Sequence, residues 1–451
     1  MEVHTGHGVM FGTDGVRGIA NRELTPELAL SLGRAGAHFL SLKTPGAPLV
    51  IGRDTRISGD MLESALIAGM CSAGVNVLKA GILPTPAIAC LTRLTGSCGG
   101  AVISASHNQV MDNGIKFFGP DGFKLNDAEE EDVERLVVHP EEIPYPVGEQ
   151  VGACQEMTDA CDRYVQYLKS VEPVDLSGLT IAVDCANGAA SSVVPKLLAE
   201  LGAQVVPMFH TPNGVNINDS CGSTHPEKLC GAVLSKRAHV GLAFDGDADR
   251  LIAVDENGNL VDGDQIMVIC AQDLKERGRL SKNTVVVTVM SNLGLHRAMD
   301  KAGIEITETQ VGDRWVLEEL LRRGAIFGGE QSGHIIFLED QTTGDGALTA
   351  LKLLSVIKRK GLSLGELAAQ MFRYPQLLKN VAVSDKQSVM SSDQLKEAVC
   401  SCERRLNGQG RILVRPSGTE QLVRVMAEGR DLEELNVIVD ELTGVIRKLV
   451  Y

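Results

Sequence analysis

The chain has 451 residues, 44% hydrophobic and 22% charged, which is too long for one core and too ordinary in composition for a disordered or fibrous protein. Its 43 basic and 58 acidic side chains leave a formal charge of −15, which argues against nucleic acid or an anionic membrane surface as the main partner. Eleven cysteines without a Cys-x-x-Cys spacing point to free thiols; with no leader pattern over 1–18 and no run of about 18 apolar residues, no membrane span is expected and a cytoplasmic protein is expected by default.

In chain order, Gly12 to Gly18 comes first, a glycine-framed loop presenting Arg17. A helix follows: Thr25 caps it, Pro26 suits its first turn, and Leu28, Leu32, Ala35 and Phe39 line one face. Three later segments read alike, each an apolar strand, a small-residue turn, an amphipathic helix, a glycine and a second apolar strand. They begin at Leu49, Thr180 and Val285 and return at Val75, Ala203 and Ile304. That pattern predicts βαβ crossovers and mixed or parallel sheets in three related α/β domains. Asp112-Asn113-Gly114 and Gly119 to Gly122 are turn signals bracketing a short strand at 115–118. A Pro- and Glu-rich stretch, 139–152, closes the first domain, and Phe372 to Pro375 introduces a tail of different pattern, a small α+β domain. The expected domains are 1–155, 156–257, 258–371 and 372–451.

Four loops carry candidate chemistry. Asp245, Asp247 and Asp249 stand at alternate positions before Arg250, and three carboxylates in one folded loop need a neutralising cation. Hard oxygen ligands without His or Cys favour Mg²⁺ over zinc. A solvated acidic turn is the plain alternative. A calcium EF-hand fails because Arg250 occupies the glycine position and Leu251 to Val254 reads as a strand. Ser104-Ala105-Ser106-His107-Asn108 follows the apolar strand 101–103, where a serine can act as nucleophile or phosphate carrier. A Ser-His-Asp hydrolase lacks its Gly-x-Ser-x-Gly elbow here, and His107 is poorly placed beside Ser106 to activate it; a polar turn stays open. Glu330, Ser332 and His334, framed by glycines, suit recognition of sugar hydroxyls and amines, with a capped turn equally open. Arg415, Ser417, Gly418 and Thr419, with Arg424 on the next strand, make a phosphate cradle or a hairpin with a solvated arginine.

Taken together and in order, these loops resemble the α-D-phosphohexomutase superfamily and, within it, the bacterial phosphoglucosamine mutases, over essentially the whole chain. The narrower resemblance rests on Phe11 to Gly18 and on Arg415 to Glu420, where Gly418 stands in place of the Asn usual in phosphomanno- and phosphoglucomutases. Gln109 in place of Pro, Ala248 in place of Gly and Trp315 in place of Tyr depart from the pattern without removing a ligand. The resemblance implies three similar α/β domains with mixed sheets and a smaller α+β fourth around one central cleft. It implies a phosphoserine at Ser106, and Mg²⁺ on Asp245, Asp247, Asp249 and a phosphoserine oxygen. It implies interconversion of glucosamine 6-phosphate and glucosamine 1-phosphate through a 1,6-bisphosphate, feeding UDP-N-acetylglucosamine and cell-wall precursors. Glucosamine or glucose 1,6-bisphosphate would activate the phosphoenzyme. Lys116 is the candidate general acid/base, with His334 and His107 assisting and Arg17 neutralising charge. Arg250, Glu330, Ser332 and His334 would hold the sugar; Arg415, Ser417, Gly418, Thr419 and Arg424 would hold the spare phosphate. A small-molecule sugar phosphate is the expected partner, and a homodimer is left open.

Overall fold

The computed structural model describes residues 10–12, 14–417 and 421–450. Gly418, Thr419 and Glu420 of the expected cradle lie outside the described residues, as does Thr13. By compactness the chain divides in two: one unit runs to Val289 and adds Glu305–Ala369, the other takes Met290–Ile304 and the chain from Gln370.

The first unit holds three sheets. One contains β1 (Val16–Ile19), β2 (Leu49–Arg53), β3 (Val77–Ile82), β4 (Gly99–Ile103), β5 (Asp112–Phe118) and β6 (Cys154–Glu156), ordered β1-β5-β4-β2-β3-β6. The next contains β7 (Thr180–Asp184), β8 (Gln204–Met208), β9 (Val240–Phe244), β10 (Leu251–Val254) and β11 (Leu260–Val261), ordered β11-β10-β9-β7-β8. The third contains β12 (Thr284–Thr288), β13 (Glu305–Thr309), β14 (Phe327–Gly329) and β15 (Ile335–Phe337), ordered β13-β12-β14-β15. A common core recurs: three parallel strands in the order second, first, third, with an antiparallel strand beside the third. It reads β3-β2-β4-β5, β8-β7-β9-β10 and β13-β12-β14-β15. The three strand pairs read from the sequence repeat are the parallel neighbours β2/β3, β7/β8 and β12/β13. Their first strands are apolar runs buried almost throughout, as strands covered on both faces must be.

Local chemistry sets the ends of the elements. Helix Pro26–Lys43 starts where Thr25 Oγ1 accepts the Leu28 amide at 3.2 Å; Leu32 and Ala35 are fully buried, while Leu28 and Phe39 lie at the core's margin. The turn expected at 112–114 is instead part of β5, and Arg17 lies on β1 opposite Gly114 rather than on a loop. A side chain at Gly114 would put Cβ 2.6 Å from the Ser104 carbonyl, so this glycine serves close strand approach, not a turn. β6 straddles the expected 155/156 boundary and pairs with β3.

The second unit is an antiparallel sheet of β16 (Gln376–Ala382), β17 (Arg411–Pro416) and β18 (Leu422–Glu428), ordered β16-β18-β17, with helices Asp393–Leu406 and Leu432–Val450. Helix Leu293–Ala302, expected to belong with the third domain, groups with this unit: Asn292 Nδ2 donates to the Tyr374 carbonyl at 3.0 Å and Arg297 to that of Gly408 at 2.6 Å. Among the described residues no helix is long and apolar enough to cross a membrane, and all eleven cysteines are free thiols.

Candidate active site

The repeated core places three of the loops at one topological position, between the third parallel strand and its antiparallel neighbour. β4 leads through Ser106 into β5, β9 through Asp245, Asp247 and Asp249 into β10, and β14 through Glu330 and His334 into β15. Each loop carries a residue at positive φ: Ser106 at 50°, Ala248 at 55° and Gly333 at 91°. The carboxyl ends of parallel strands are where open α/β sheets gather function. The loops also touch. Leu251 N donates to the Gly333 carbonyl at 3.0 Å, and Arg250 bridges His334 backbone to backbone. At Gly246 a Cβ would stand 2.5 Å from the Ser106 carbonyl, so only glycine lets the aspartate loop lie against the serine loop.

Ser106 is 1% exposed, and its Oγ donates to Asp245 Oδ2 at 2.5 Å. Its amide donates to Ser104 Oγ at 3.0 Å, and Ser104 Oγ donates to Asp54 Oδ2 at 2.6 Å. His107 Nδ1 approaches Ser106 Oγ to 3.4 Å, nearer than its sequence position suggested. Burial, then the Arg250 and Arg17 charges, push the His107 imidazole down to about 4, so it is neutral near pH 7 and can only accept at one nitrogen.

Asp245, Asp247 and Asp249 are buried, with one oxygen from each within 4.8 Å of the others. Burial, then Asp249 and Asp247, hold the Asp245 carboxyl well above the usual range. Asp247 Oδ1 and Asp249 Oδ1 are buried without a hydrogen-bond partner. Orphaned, clustered carboxylate oxygens with no soft donor fit a hard divalent cation such as Mg²⁺.

Around this triad runs a circuit of paired ionisable groups. Lys116 Nζ lies 3.4 Å from Asp247 and 3.0 Å from Asp14; Lys124 Nζ lies 2.8 Å from Asp14 and pairs closely with Asp313. His334 closes it, with Nε2 3.8 Å from Asp313 and Nδ1 3.4 Å from Asp249. Gly344 N donates to His334 Nε2 at 3.1 Å, which places the neutral ring's proton on Nδ1, toward Asp249. Arg17 pairs with Asp14. Burial pulls the Lys116 ammonium down, but Asp14 and Asp247 outweigh it and raise its pKa. Its nearest charged partners are the carboxylates, although Lys124 and Arg17 stand close enough to pull the other way.

Arg250 Nε lies 3.7 Å from Asp249 Oδ1 and the Arg250 amide donates to Asp245 Oδ1 at 3.3 Å, with Glu330 adding to the negative charge around the guanidinium; Glu330 Oε1 accepts the Gly312 amide at 3.0 Å, and Ser332 is exposed on the same loop. In the second unit, Arg415 of β17 and Arg424 of β18 are direct cross-strand partners, and Ser417 next to them is buried. Burial, then Arg424, lower the Arg415 pKa. Two like charges in register are unfavourable unless an anion joins them.

Sequence reading missed Asp14, Asp54, Arg56, Thr85, Lys124, Asn218 and Asp313. Thr85 Oγ1 donates to Asp247 Oδ2 at 2.7 Å. A signal was present for two of them: Asp54 and Arg56 follow β2, at the strand end where the motif loops gather.

Models of the phosphoglucomutase/phosphomannomutase family match the chain as alpha/beta/alpha domain I over 8–143, domain II over 162–258, domain III over 262–374 and the C-terminal domain over 378–445. The chain belongs to this family. Among its relatives, the phosphoglucosamine mutase of Pelotomaculum thermopropionicum is 62% identical, covering 98% of this chain and all of the relative. That of Desulforamulus reducens is 61% identical, covering 97% and 99%. Two solved structures share the fold. A phosphoglucomutase/phosphomannomutase family protein from Burkholderia thailandensis has a TM-score of 0.81 at 23% identity, covering 98% of this chain and 97% of that one. The Aspergillus fumigatus N-acetylphosphoglucosamine mutase, in complex with GlcNAc-6P and magnesium, has a TM-score of 0.70 at 19% identity, covering 98% and 96%.

Proposed function

We propose that this family member is a phosphoglucosamine mutase, interconverting glucosamine 6-phosphate and glucosamine 1-phosphate through phosphorylated Ser106 and a 1,6-bisphosphate intermediate. The observation that carries the reading is the hydroxyl of Ser106 lying on Asp245 within the buried aspartate triad. Relatives named phosphoglucosamine mutase, 54–62% identical over 97–98% of the chain, support the choice of sugar.

Asp245, Asp247, Asp249 and a phosphoserine oxygen would hold Mg²⁺, which when bound neutralises charge on the phosphoryl oxygens. Phosphorylated Ser106 gives its phosphoryl group to a sugar hydroxyl, and the bisphosphate returns its other phosphoryl group to Ser106. Both transfers depend chiefly on positioning and charge neutralisation. Lys116, kept protonated by Asp14 and Asp247, is suited to protonate the departing Ser106 oxygen and to stabilise phosphoryl charge, with Arg17 beside it. His334 carries its proton toward Asp249, and His107 offers Ser106 a neutral acceptor. Glu330, Ser332 and Arg250 would read the sugar, while Arg415, Arg424 and Ser417, with Gly418 and Thr419, would grip the spare phosphate. Glucosamine or glucose 1,6-bisphosphate would prime dephosphorylated enzyme. The product would feed UDP-N-acetylglucosamine and cell-wall precursor synthesis. The four-domain division at 155, 257 and 371 is part of the proposal, supported by four family matches that stop and start near those positions.

The test is a coupled assay of purified protein on glucosamine, glucose and mannose 6-phosphates. The expected result is highest kcat/KM on the glucosamine compound, abolished by EDTA and restored by Mg²⁺ but poorly by Zn²⁺. Preference for glucose or mannose phosphate, or full activity after exhaustive chelation, would overturn the assignment.

A further inference from the structure

Arg56 is among the largest fully buried side chains in the protein, and its guanidinium faces the serine loop. Nη2 donates to the Ser106 carbonyl at 3.1 Å and to the Asn108 carbonyl at 2.9 Å, while Nη1 donates to the carbonyl of Gln109. Its charge is balanced on the other side by Asp54, 3.0 Å from Nε, and Asp54 also accepts from Ser104 Oγ. From the second α/β repeat, Asn218 Nδ2 donates to the same two carbonyls, Ser106 at 2.9 Å and Asn108 at 3.0 Å. Two carbonyls of one short loop thus each accept from two donors brought in by different sheets.

That arrangement exceeds what a buried turn needs, since one hydrogen bond satisfies a carbonyl. It has a mechanical consequence. Ser106 holds a left-handed backbone conformation, which is strained for a non-glycine residue and persists only where its surroundings over-determine it. Fixing its carbonyl fixes the peptide plane from which the side chain departs, and so the direction of Oγ toward Asp245.

We propose that Arg56 and Asn218 are positioning residues for phosphoryl transfer: together they clamp the Ser106 and Asn108 carbonyls and aim the Ser106 oxygen at the aspartate triad. Neither touches the reacting atoms. The inference rests on Ser106 being the phosphoryl carrier.

Asn218→Gly is the cleanest test, because Asn218 sits at φ 57° and glycine keeps that backbone while deleting the amide. We expect kcat to fall about tenfold with sugar-phosphate KM within twofold and thermal stability nearly unchanged, since misaimed reacting groups cost rate rather than binding. Arg56→Lys, which keeps the charge and loses the fork, should lose more, on the order of a hundredfold in kcat. Phosphoryl transfer from glucose 1,6-bisphosphate to Ser106 in a single turnover should slow in parallel for both variants. Wild-type kcat in Asn218→Gly overturns the proposal, as does a rise in KM equal to the fall in kcat; if Arg56→Lys fails to fold, Asn218→Gly decides alone. Inactivity of the wild-type protein would instead count against the mutase reading itself.

Discussion

His107 adjoins the serine hydroxyl and feels two guanidinium charges, Arg250 and Arg17, while largely removed from water. Both effects disfavour the imidazolium. Its folded pKa of about 4 lies below the ordinary 6.5, so the unfolded chain takes up this proton first as pH falls, and folding stability is lost between those values. NMR of the histidine imidazoles, with His107→Asn to assign the signal, should show His107 still neutral at pH 5 and titrating near 4. A midpoint near 6.5 would contradict the description of its surroundings. Lys116 shows the complementary case, where two carboxylates overcome burial and keep the charge. The sequence identified both residues but not their titration, because the deciding neighbours, Asp14 and Arg250, are far away in the chain and reach them only through the fold.

At the scale of elements, the serine, aspartate and sugar loops are one loop in three copies, and this was partly legible. The repeat was visible as apolar strands with glycine-led returns, and the motifs as polar clusters beside them. Their shared position after the third parallel strand was not visible, since strand order is a property of pairing. Asn113-Gly114 was misread as a turn because its small residue answers a neighbouring carbonyl rather than a backbone reversal. Gly246 follows the same logic. Gly246→Ala would drive Cβ into the Ser106 carbonyl and within 2.9 Å of Asn218 Nδ2, forcing the serine and aspartate loops apart. Mutase activity should drop at least a hundredfold, about 3 kcal/mol in the barrier, while far-ultraviolet circular dichroism stays native. Activity within threefold of wild type would show that the loops do not need this contact.

At the scale of the molecule, a net charge of −15 coexists with cations gathered locally. Lys116, Lys124, Arg17 and Arg250 are gathered at the three loops and paired there with Asp14, Asp247, Asp249 and Asp313. In a one-dimensional sequence such residues look like any solvated charge, which is why Lys124, Asp14 and Asp313 were missed. Lys124 ties the first repeat to the third, so Lys124→Met leaves two half-buried carboxylates, Asp14 and Asp313, without the cation between them. Removing the shared cation of this half-buried pair costs about 1–3 kcal/mol, and chemical denaturation should show the loss in the transition that reports the first unit. An unchanged midpoint would mean the circuit contributes no stability.

In the proposed mechanism one serine carries the phosphoryl group between two sugar positions. This is tested most directly by loading the protein with ³²P from labelled glucose 1,6-bisphosphate, mapping the labelled peptide, and chasing with unlabelled glucosamine 6-phosphate. Label is expected on Ser106 alone, absent from Ser106→Ala, and is expected to transfer completely to glucosamine phosphates on the chase. Label on Ser104 or elsewhere, or label on Ser106 that survives the chase, would contradict that mechanism.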